Sequence, residues 1–429
     1  MNEIPRPNPT DVHIDEGTAE VLSQIEALEG DAEKQIRLAI PEPDEFAEFL
    51  LQTGLVNDPE AMRILEMAKE AIQGTVESLP QSSLSTAPGT IDQLSADLAI
   101  DFGAANTRIY ASGKGIVVDE PSVVAIDKHT GDVTAVGHEA VEQVTRTPEF
   151  VKGVRPLKKG FAGDFKLAQT MFQYFIDKAH GSDKAVSARC IVGVPSELTG
   201  LENRIVADST HAAGARTVYL VDDSAIAGIG AGLAGTAPSG RMVVDVGGAT
   251  TNIAVVSSTG TVSSRSVRAA GDEMDEAVVQ HMRRKYNLLI GERTAEAIKK
   301  EIGSALPLVR PHIMEIKGRN LIVGTPVTVA IDDSEIRDAL EESVSAIVNA
   351  IREALEGTTP SLRAGIAAGG IVLTGGGALL TNLDKRIRAE TGIPVSIADD
   401  PMTSGVRGGA LLLTEPAMLD RFATAYSYQ

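Results

Sequence analysis

Beyond Ala96 the chain runs in short blocks whose apolar positions switch between two periods. Runs rich in valine and isoleucine predict strands at 97–101, 107–112, 115–119, 122–126, 189–194, 217–221, 242–246, 251–256, 261–267 and 370–374. Amphipathic stretches between them predict helices at 166–179, 197–213, 273–286, 293–304, 333–355 and 377–391. Hairpins followed by helices predict an α/β fold with a partly antiparallel sheet.

The first 95 residues read differently. Residues 1–13 are rich in proline and asparagine, a composition that predicts disorder. Helices are predicted at 16–29, 44–53 and 58–79, the last with Leu65, Ala68, Ile72, Val76 and Leu79 on one stripe. The segment 80–93, PQSSLSTAPGTIDQ, predicts a linker. The arm is either a small helical module on a tether or a tail with transient helices.

Charge sharpens this division. The first 95 residues hold 19 acidic and 5 basic side chains, so −14 of the net −20 lies there. An acidic arm disfavours direct binding to nucleic acid or anionic lipid. The 429 residues suffice for two or three domains, and 43% hydrophobic content is that of a globular protein. No run of 18 apolar residues predicts a membrane span, and the N-terminal residues lack the pattern of a secretory signal. The single cysteine, Cys190, leaves no intrachain disulfide; it fits a reducing cytoplasm and reads as a small core residue.

Two of the predicted hairpins carry candidate chemistry. Leu98–Tyr110 reads LAIDFGAANTRIY, and Val243–Val255 reads VVDVGGATTNIAV. Each delivers an aspartate to a glycine turn, and Asp101 and Asp245 lie 144 positions apart. Phosphate oxygens seek N–H donors at close range, and a side chain in the turn would block them. Gly103, Gly247 and Gly248 remove that obstruction. Asp101 and Asp245 would repel phosphate, so they imply a divalent metal between, held mostly through water, as Mg²⁺ prefers. A third glycine turn follows in Leu373–Leu380, LTGGGALL. Matched hairpins say the core was built twice, with a nucleotide gripped between two halves.

These runs resemble the actin, Hsp70 and hexokinase-type ATPases, and much more closely the MreB family of bacterial actins. The resemblance extends from about Leu98 to Leu413. It is carried by DFGAANTRIY, KGIVVDEPSVVAID, GVRPLKKGFAGDF, MVVDVGGATTNIAVVS, GIVLTGGGALLTNLD and the long run Ala269–Gly303. It implies an actin-like α/β fold of two duplicated ribonuclease-H-like domains with inserted subdomains around a nucleotide cleft. The first core domain would be 96–124 and 158–237 with part of 405–429, carrying the insertion 125–157. The second would be 238–273 and 330–404, carrying the insertion 274–329, and 1–95 would stand as an acidic extension.

The resemblance also implies ATP or ADP with Mg²⁺ as cofactors and the chain itself as partner in a homopolymeric filament. The first phosphate hairpin would bind through Gly103, Ala105, Asn106 and Thr107, and the second through Gly247, Gly248 and Ala249. Gly375, Gly376 and Gly377 would form the adenosine turn, with Glu296 and Lys299 near the base and ribose. From spacing alone, Glu296 and Lys299 are equally an exposed ion pair one helical turn apart. Asp164 matches a further carboxylate near the cleft.

Departures from the family pattern bear on turnover. Where MreB proteins carry a glutamate that orients the attacking water, this chain has Asp223, shorter by one methylene, or about 1.5 Å of reach. A displacement of about 1 Å can cost 10²-fold in rate. Thr250 is the second residue expected to position the water. Ala104 lacks a hydroxyl usual in the first hairpin, while Ala249 and Asn252 replace a glycine and a glutamate in the second. Ala249 is tolerable at negative φ. Arg108 stands where MreB proteins have an apolar residue and actin has a lysine nearby; it reads either as a phosphate cation or as a solvent-facing strand arginine. Together these predict retained binding and a weak ATPase.

The leading expectation is a filament protein of the bacterial cytoskeleton serving cell shape or wall synthesis. The alternative is a diverged nucleotide-binding scaffold regulated through its acidic arm, which could bind a protein partner or fold onto the basic surface around Arg155, Lys158 and Lys159. A small-molecule kinase lacks a substrate base in the sequence. Membrane association is doubtful, because the loop Ala179–Ser187 carries only Ala185 and Val186 where an apolar pair would sit. A cytoplasmic location, peripheral to the inner membrane through partners, follows.

Overall fold

The computed structural model describes residues 97–158, 165–181, 189–196, 198–233 and 240–427. The expectations for residues 1–95, for Lys159 and Asp164, and for Ala185 and Val186 lie outside the described residues.

The first half contains β1 (Leu98–Phe102), β2 (Asn106–Ala111), β3 (Gly115–Pro121), β4 (Val124–Asp127), β5 (Val133–Val136), α1 (His138–Arg146) and β6 (Val151–Val154). It continues through α2 (Phe165–His180), β7 (Arg189–Val194), α3 (Gly200–Ala212), β8 (Thr217–Asp222) and α4 (Asp223–Gly228). The second half contains β9 (Arg241–Val246), β10 (Thr251–Ser257), β11 (Gly260–Val267), α5 (Gly271–Tyr286), β12 (Leu288–Leu289), α6 (Glu292–Ile302), β13 (Ile313–Asn320) and β14 (Pro326–Asp332). It ends with α7 (Asp333–Glu356), α8 (Pro360–Gly369), β15 (Ile371–Thr374), α9 (Leu383–Thr391), β16 (Val395–Ile397), α10 (Ser404–Thr414), α11 (Pro416–Phe422) and β17 (Ala423–Ser427).

The two large sheets repeat one topology. The first has the order β17-β8-β7-β1-β2-β3 and the second β11-β10-β9-β15-β16. In each, a three-stranded antiparallel meander continues into two parallel strands. Two small three-stranded sheets, β5-β4-β6 and β12-β13-β14, complete the fold.

Alternation along the strands feeds separate cores. Leu98, Ile100 and Ile109 pack with Phe172 and Phe175 of α2, whereas Ala99 and Ile191 pack with Ile226 and Leu412. In the second sheet Val244 and Ile253 join Met274 and Ile347, while Val243 and Ala254 meet Ala225 of α4. Burial on both faces explains the nearly unbroken apolar runs of these strands. An aspartate at the end of such a run sits at the rim of a core.

Local chemistry sets several boundaries. Thr199 forms a capping box with Glu202, so the predicted helix 197–213 begins at Gly200. The predicted helix 377–391 is broken. A 3₁₀ turn covers Gly376–Leu379, and Asn382, left-handed at φ 61°, separates it from α9. The glycine-rich helix α10 was not predicted. A Cβ at Gly408 would overlap the carbonyl oxygen of Ile226, and one at Gly230 that of Ser404. Glycines that look like helix breakers here admit close backbone packing. The β13–β14 hairpin also escaped the strand prediction, because its strands are half-exposed rather than continuously apolar.

Candidate functional site

The ends of the two sheets face a cavity of about 390 Å³. The β1–β2 and β9–β10 turns enter it from opposite halves, and a Cβ on Gly248 would lie 3.0 Å from that of Ala105. Corresponding positions pair alike in the two hairpins: Asp101 lies opposite Arg108, and Asp245 opposite Asn252.

Two carbonyl oxygens of each turn are engaged by the protein itself. Gly103 O accepts from Ser122 Oγ at 2.6 Å, and Ala105 O accepts from Ser122 N at 2.9 Å. Gly247 O and Gly248 O accept from the N–H groups of Gly271 and Asp272, which open α5. Among the described residues, no backbone acceptor is found for the N–H groups of Ala104, Ala105, Gly248 and Ala249. Those donors suit an anion in the cavity. Ala249 carries no positive φ, so the alanine that replaces glycine there is unstrained.

The third turn packs under the second. Gly375 is at φ +78°, and a Cβ there would lie 2.7 Å from Asp245 Oδ1. Thr374 Oγ1 donates to the same oxygen at 3.0 Å.

Three carboxylates share the floor. Burial pushes Asp101 up from its ordinary 3.8 to about 6, with Arg108 pulling the other way. Burial, and then the charge of Asp101, pushes Asp245 up to about 7. Asp223 is raised well above the ordinary range by burial and by the charges of Asp101, Asp245 and Asp222. Three half-buried carboxylates with one arginine beside them leave an excess of negative charge that fits a divalent ion. Among the described residues no three acidic or histidine side chains converge closely enough to cage a metal. The donor set therefore fits an ion that keeps its waters.

Asp222 and Asp223 divide two tasks. Asp222 caps α4, its Oδ1 accepting from the N–H groups of Ser224 and Ala225 at 3.0 and 3.1 Å. Asp223 opens that helix and lines the cavity, its Oδ1 lying 2.6 Å from where a Cβ on Gly193 would stand. Thr250 also lines it, and its Oγ1 accepts from Asn252 Nδ2 at 3.3 Å.

The other sequence-predicted residues divide as follows. Gly103, Ala105, Asn106, Gly247, Gly248, Ala249, Glu296, Lys299, Gly375, Gly376 and Gly377 line the cavity. Thr107 does not. It is fully buried, and its hydroxyl shares a 2.9 Å hydrogen bond with Ser122. Strand alternation turns Thr107 to the core face and its neighbours Asn106 and Arg108 to the cavity. Thr251, the matching residue of the second hairpin, is likewise buried and donates to Ala269 O at 2.6 Å.

Glu296 and Lys299 do not form the ion pair their spacing allows. Lys299 Nζ lies 2.9 Å from both Asp275 Oδ1 and Gly271 O, while Glu296 pairs with Lys300 at 2.7 Å. Arg108 is not solvent-facing: it is 7% exposed and lines the cavity. Arg155 and Lys158 are each paired: Arg155 Nη1 reaches Asp272 Oδ1 at 2.7 Å in the cavity lining, and Lys158 Nζ reaches Glu292 Oε1 at 2.7 Å.

Sequence reasoning missed Asp272, Asp275 and Arg155 as cavity residues. Asp272 and Asp275 are three apart on α5, a spacing that puts both on one helix face.

Duplicated sheets that each deliver an Asp-Gly hairpin to one cleft define an actin-like protein. The MreB/Mbl family model matches residues 95–421. The cell shape-determining protein MreB of Escherichia coli is 47% identical over 324 residues, covering 74% of this chain and 93% of its own. The cell shape-determining protein Mbl of Bacillus subtilis is 42% identical over 317 residues, covering 74% and 95%. Among solved structures, MreB5 of Spiroplasma citri bound to ADP matches with a TM-score of 0.71 at 32% identity, covering 76% of this chain and 98% of its own. A MamK double helical filament shares the fold with a TM-score of 0.63 at 20% identity, covering 75% and 99%. The chain belongs to the MreB/Mbl family.

Proposed function

We propose that this chain is a cell-shape cytoskeletal protein that binds ATP with Mg²⁺ in the cleft and assembles with copies of itself into filaments. The observation that carries the reading is the facing pair of hairpins, in one register, whose turn N–H groups have no backbone acceptor among the described residues and stand above half-buried aspartates. The S. citri relative has been solved with both ADP and AMPPNP. Phosphates would lie against the turns at Gly103–Asn106 and Gly247–Ala249. Asp101 and Asp245 would hold the hydrated Mg²⁺, which would supply charge neutralisation. The adenosine would lie between Gly375–Gly377 and the α5–α6 roof that carries Glu296 and Lys299. The proposed insertions at 125–157 and 274–329 would close over it.

Weak ATP hydrolysis belongs to the same reading. Asp223 and Thr250 are the cavity residues that can accept a proton from, and orient, an attacking water. Asp223 must be ionised to act as base, and its burial and the charges of Asp101, Asp245 and Asp222 oppose that. Turnover would therefore depend on offsetting the charge of Asp101 and Asp245. The scaffold alternative gains no support from the cavity, whose turns are intact. The acidic arm is left as a site for a protein partner. Filaments would lie in the cytoplasm and reach the inner membrane through partners; among the described residues no helix is long and apolar enough to cross a membrane.

The test is pelleting of the purified full-length protein at several concentrations with ATP, and with ADP as control. Pelleting above a sharp critical concentration with ATP is expected. Its absence at every concentration would sink the filament reading.

A further inference from the structure

Among the described residues, the cleft floor contains one buried cation, Arg108, beside its three carboxylates. Arg108 lies on β2 directly opposite Asp101 on β1 and Asp119 on β3. Residues directly opposite in antiparallel strands point to the same face, so Arg108 shares the cavity face with Asp101. Its side chain is 9% exposed, and Asp119, 55% exposed, is its one ion-pair partner among the described residues. The Arg108 Nε lies 3.1 Å from Asp119 Oδ1 but is buried without a hydrogen bond. The pair thus leaves a buried donor of Arg108 without a hydrogen bond, a demand that an anion in the cavity can meet.

The other cavity-lining cations are committed. Arg155 is paired with Asp272, Lys299 with Asp275 and Gly271 O, and Lys300 with Glu296. The two halves also differ here. The position matching Arg108 in the second hairpin is Asn252, a neutral amide opposite Asp245. Arginine cannot lose its proton and presents a planar fork of donors suited to phosphate.

We infer that Arg108 donates to the phosphates of the bound nucleotide and acts as a fixed positive charge that takes over part of the divalent cation's work. The inference rests on the nucleotide reading above. It follows that the cleft keeps measurable polyphosphate affinity when divalent cations are removed. A purely structural arginine, serving only to balance Asp101, would leave no such trace.

The test compares the full-length protein with Arg108→Leu, Arg108→Gln and Arg108→Lys. Binding of ATP, inorganic tripolyphosphate and adenosine is measured by calorimetry and by thermal shift, with Mg²⁺ and with EDTA. The wild-type chain is expected to bind ATP and tripolyphosphate in EDTA. Arg108→Leu and Arg108→Gln should weaken both by about 10- to 100-fold in EDTA, the scale of a charge-assisted hydrogen bond, and by less with Mg²⁺. Arg108→Lys should recover part of the loss, and adenosine binding should not change. Arg108→Gln keeps donors without charge, so it reports on charge even if Arg108→Leu fails to fold. Equal ATP affinity in EDTA for wild type and Arg108→Gln would overturn the inference. So would a wild-type chain that binds ATP only with Mg²⁺. If the wild-type chain bound no nucleotide under any condition, the nucleotide reading itself would fall, and this inference with it.

Discussion

Two adjacent aspartates at the start of α4 show how much one position matters. Asp222 is spent on capping, and Asp223 alone faces the cavity. Asp223→Asn should leave ATP binding within a few-fold and lower hydrolysis by about 10²-fold or more, the usual contribution of a general base. Phosphate release under single turnover checks this, and an unchanged rate would remove Asp223 from the mechanism. The aspartates beneath it set a pH dependence. Folded, Asp101 and Asp245 hold protons up to about pH 6 and pH 7; in the unfolded chain they release them near their ordinary 3.8. The ligand-free protein thus binds more protons folded than unfolded across that window, and loses stability as pH rises through it. The contribution is fully present below about pH 4. Melting in EDTA should fall between pH 5 and pH 7.5 by an amount that Asp245→Asn reduces by on the order of 5 °C. Parallel wild-type and Asp245→Asn profiles would contradict it. Thr107 carries a lesson on legibility. Its place in the motif suggested a ligand contact, while strand parity, counted from Asp101 through its partner Arg108, already turned it inward.

Elements were legible where the apolar pattern was strong. The strands of both meanders and helices α2, α5, α6 and α7 follow from periodicity, because burial on defined faces writes itself into spacing. Helix α10 was not legible. Its sequence, SGVRGGALLLT, is poor in helix propensity, and only its neighbours explain the glycines: Gly408 meets the backbone of α4 and the turn after it, while Gly405 and Gly409 meet Asp101 and Ala99 of β1. Gly408→Ala should therefore destabilise the protein by roughly 2–3 kcal/mol, the scale of overpacking against a fixed backbone. Gly392→Ala, at φ +71° in open space, should cost only about 1 kcal/mol. Urea unfolding of the two variants measures the contrast, and equal effects would mean that α10 has room to shift. The broken helix at 377–391 has a related cause. Gly375 must pass close to Asp245, and the chain then needs the left-handed Asn382 to begin α9.

At the scale of the whole molecule, the cavity mouth is bridged by contacts between the halves. Arg155 and Lys158 follow β6 of the first half and grip Asp272 of α5 and Glu292 of α6, while Arg293 Nη1 donates to Thr145 Oγ1 of α1 at 3.1 Å. The Arg155–Asp272 pair is the more sheltered, with side chains 28% and 14% exposed. Removing one partner leaves a sheltered charge uncompensated, and Asp272 Oδ2 already lacks a hydrogen bond. Arg155→Ala should hasten nucleotide dissociation by roughly 10-fold, and high salt should shrink the difference from wild type. Stopped-flow displacement of a fluorescent nucleotide measures this; an off-rate equal to wild type would show that the bridge does not hold the cleft shut.

The sequence by itself determined the duplicated hairpins, the third glycine turn, the α/β class and the family. These are local features, in which residue type and spacing dictate turn geometry and strand register, and a register shift of one residue would turn every buried side chain outward. Only the tertiary structure decided which polar groups meet. The partners of Lys299, Arg155 and Lys158 lie on other elements, and Arg108 is a cavity cation because the face of β2 that it shares with Asp101 is the one the cleft covers. The upward shifts of Asp101, Asp223 and Asp245 arise because two halves bring their carboxylates together out of water, an arrangement that the spacing along one chain does not fix.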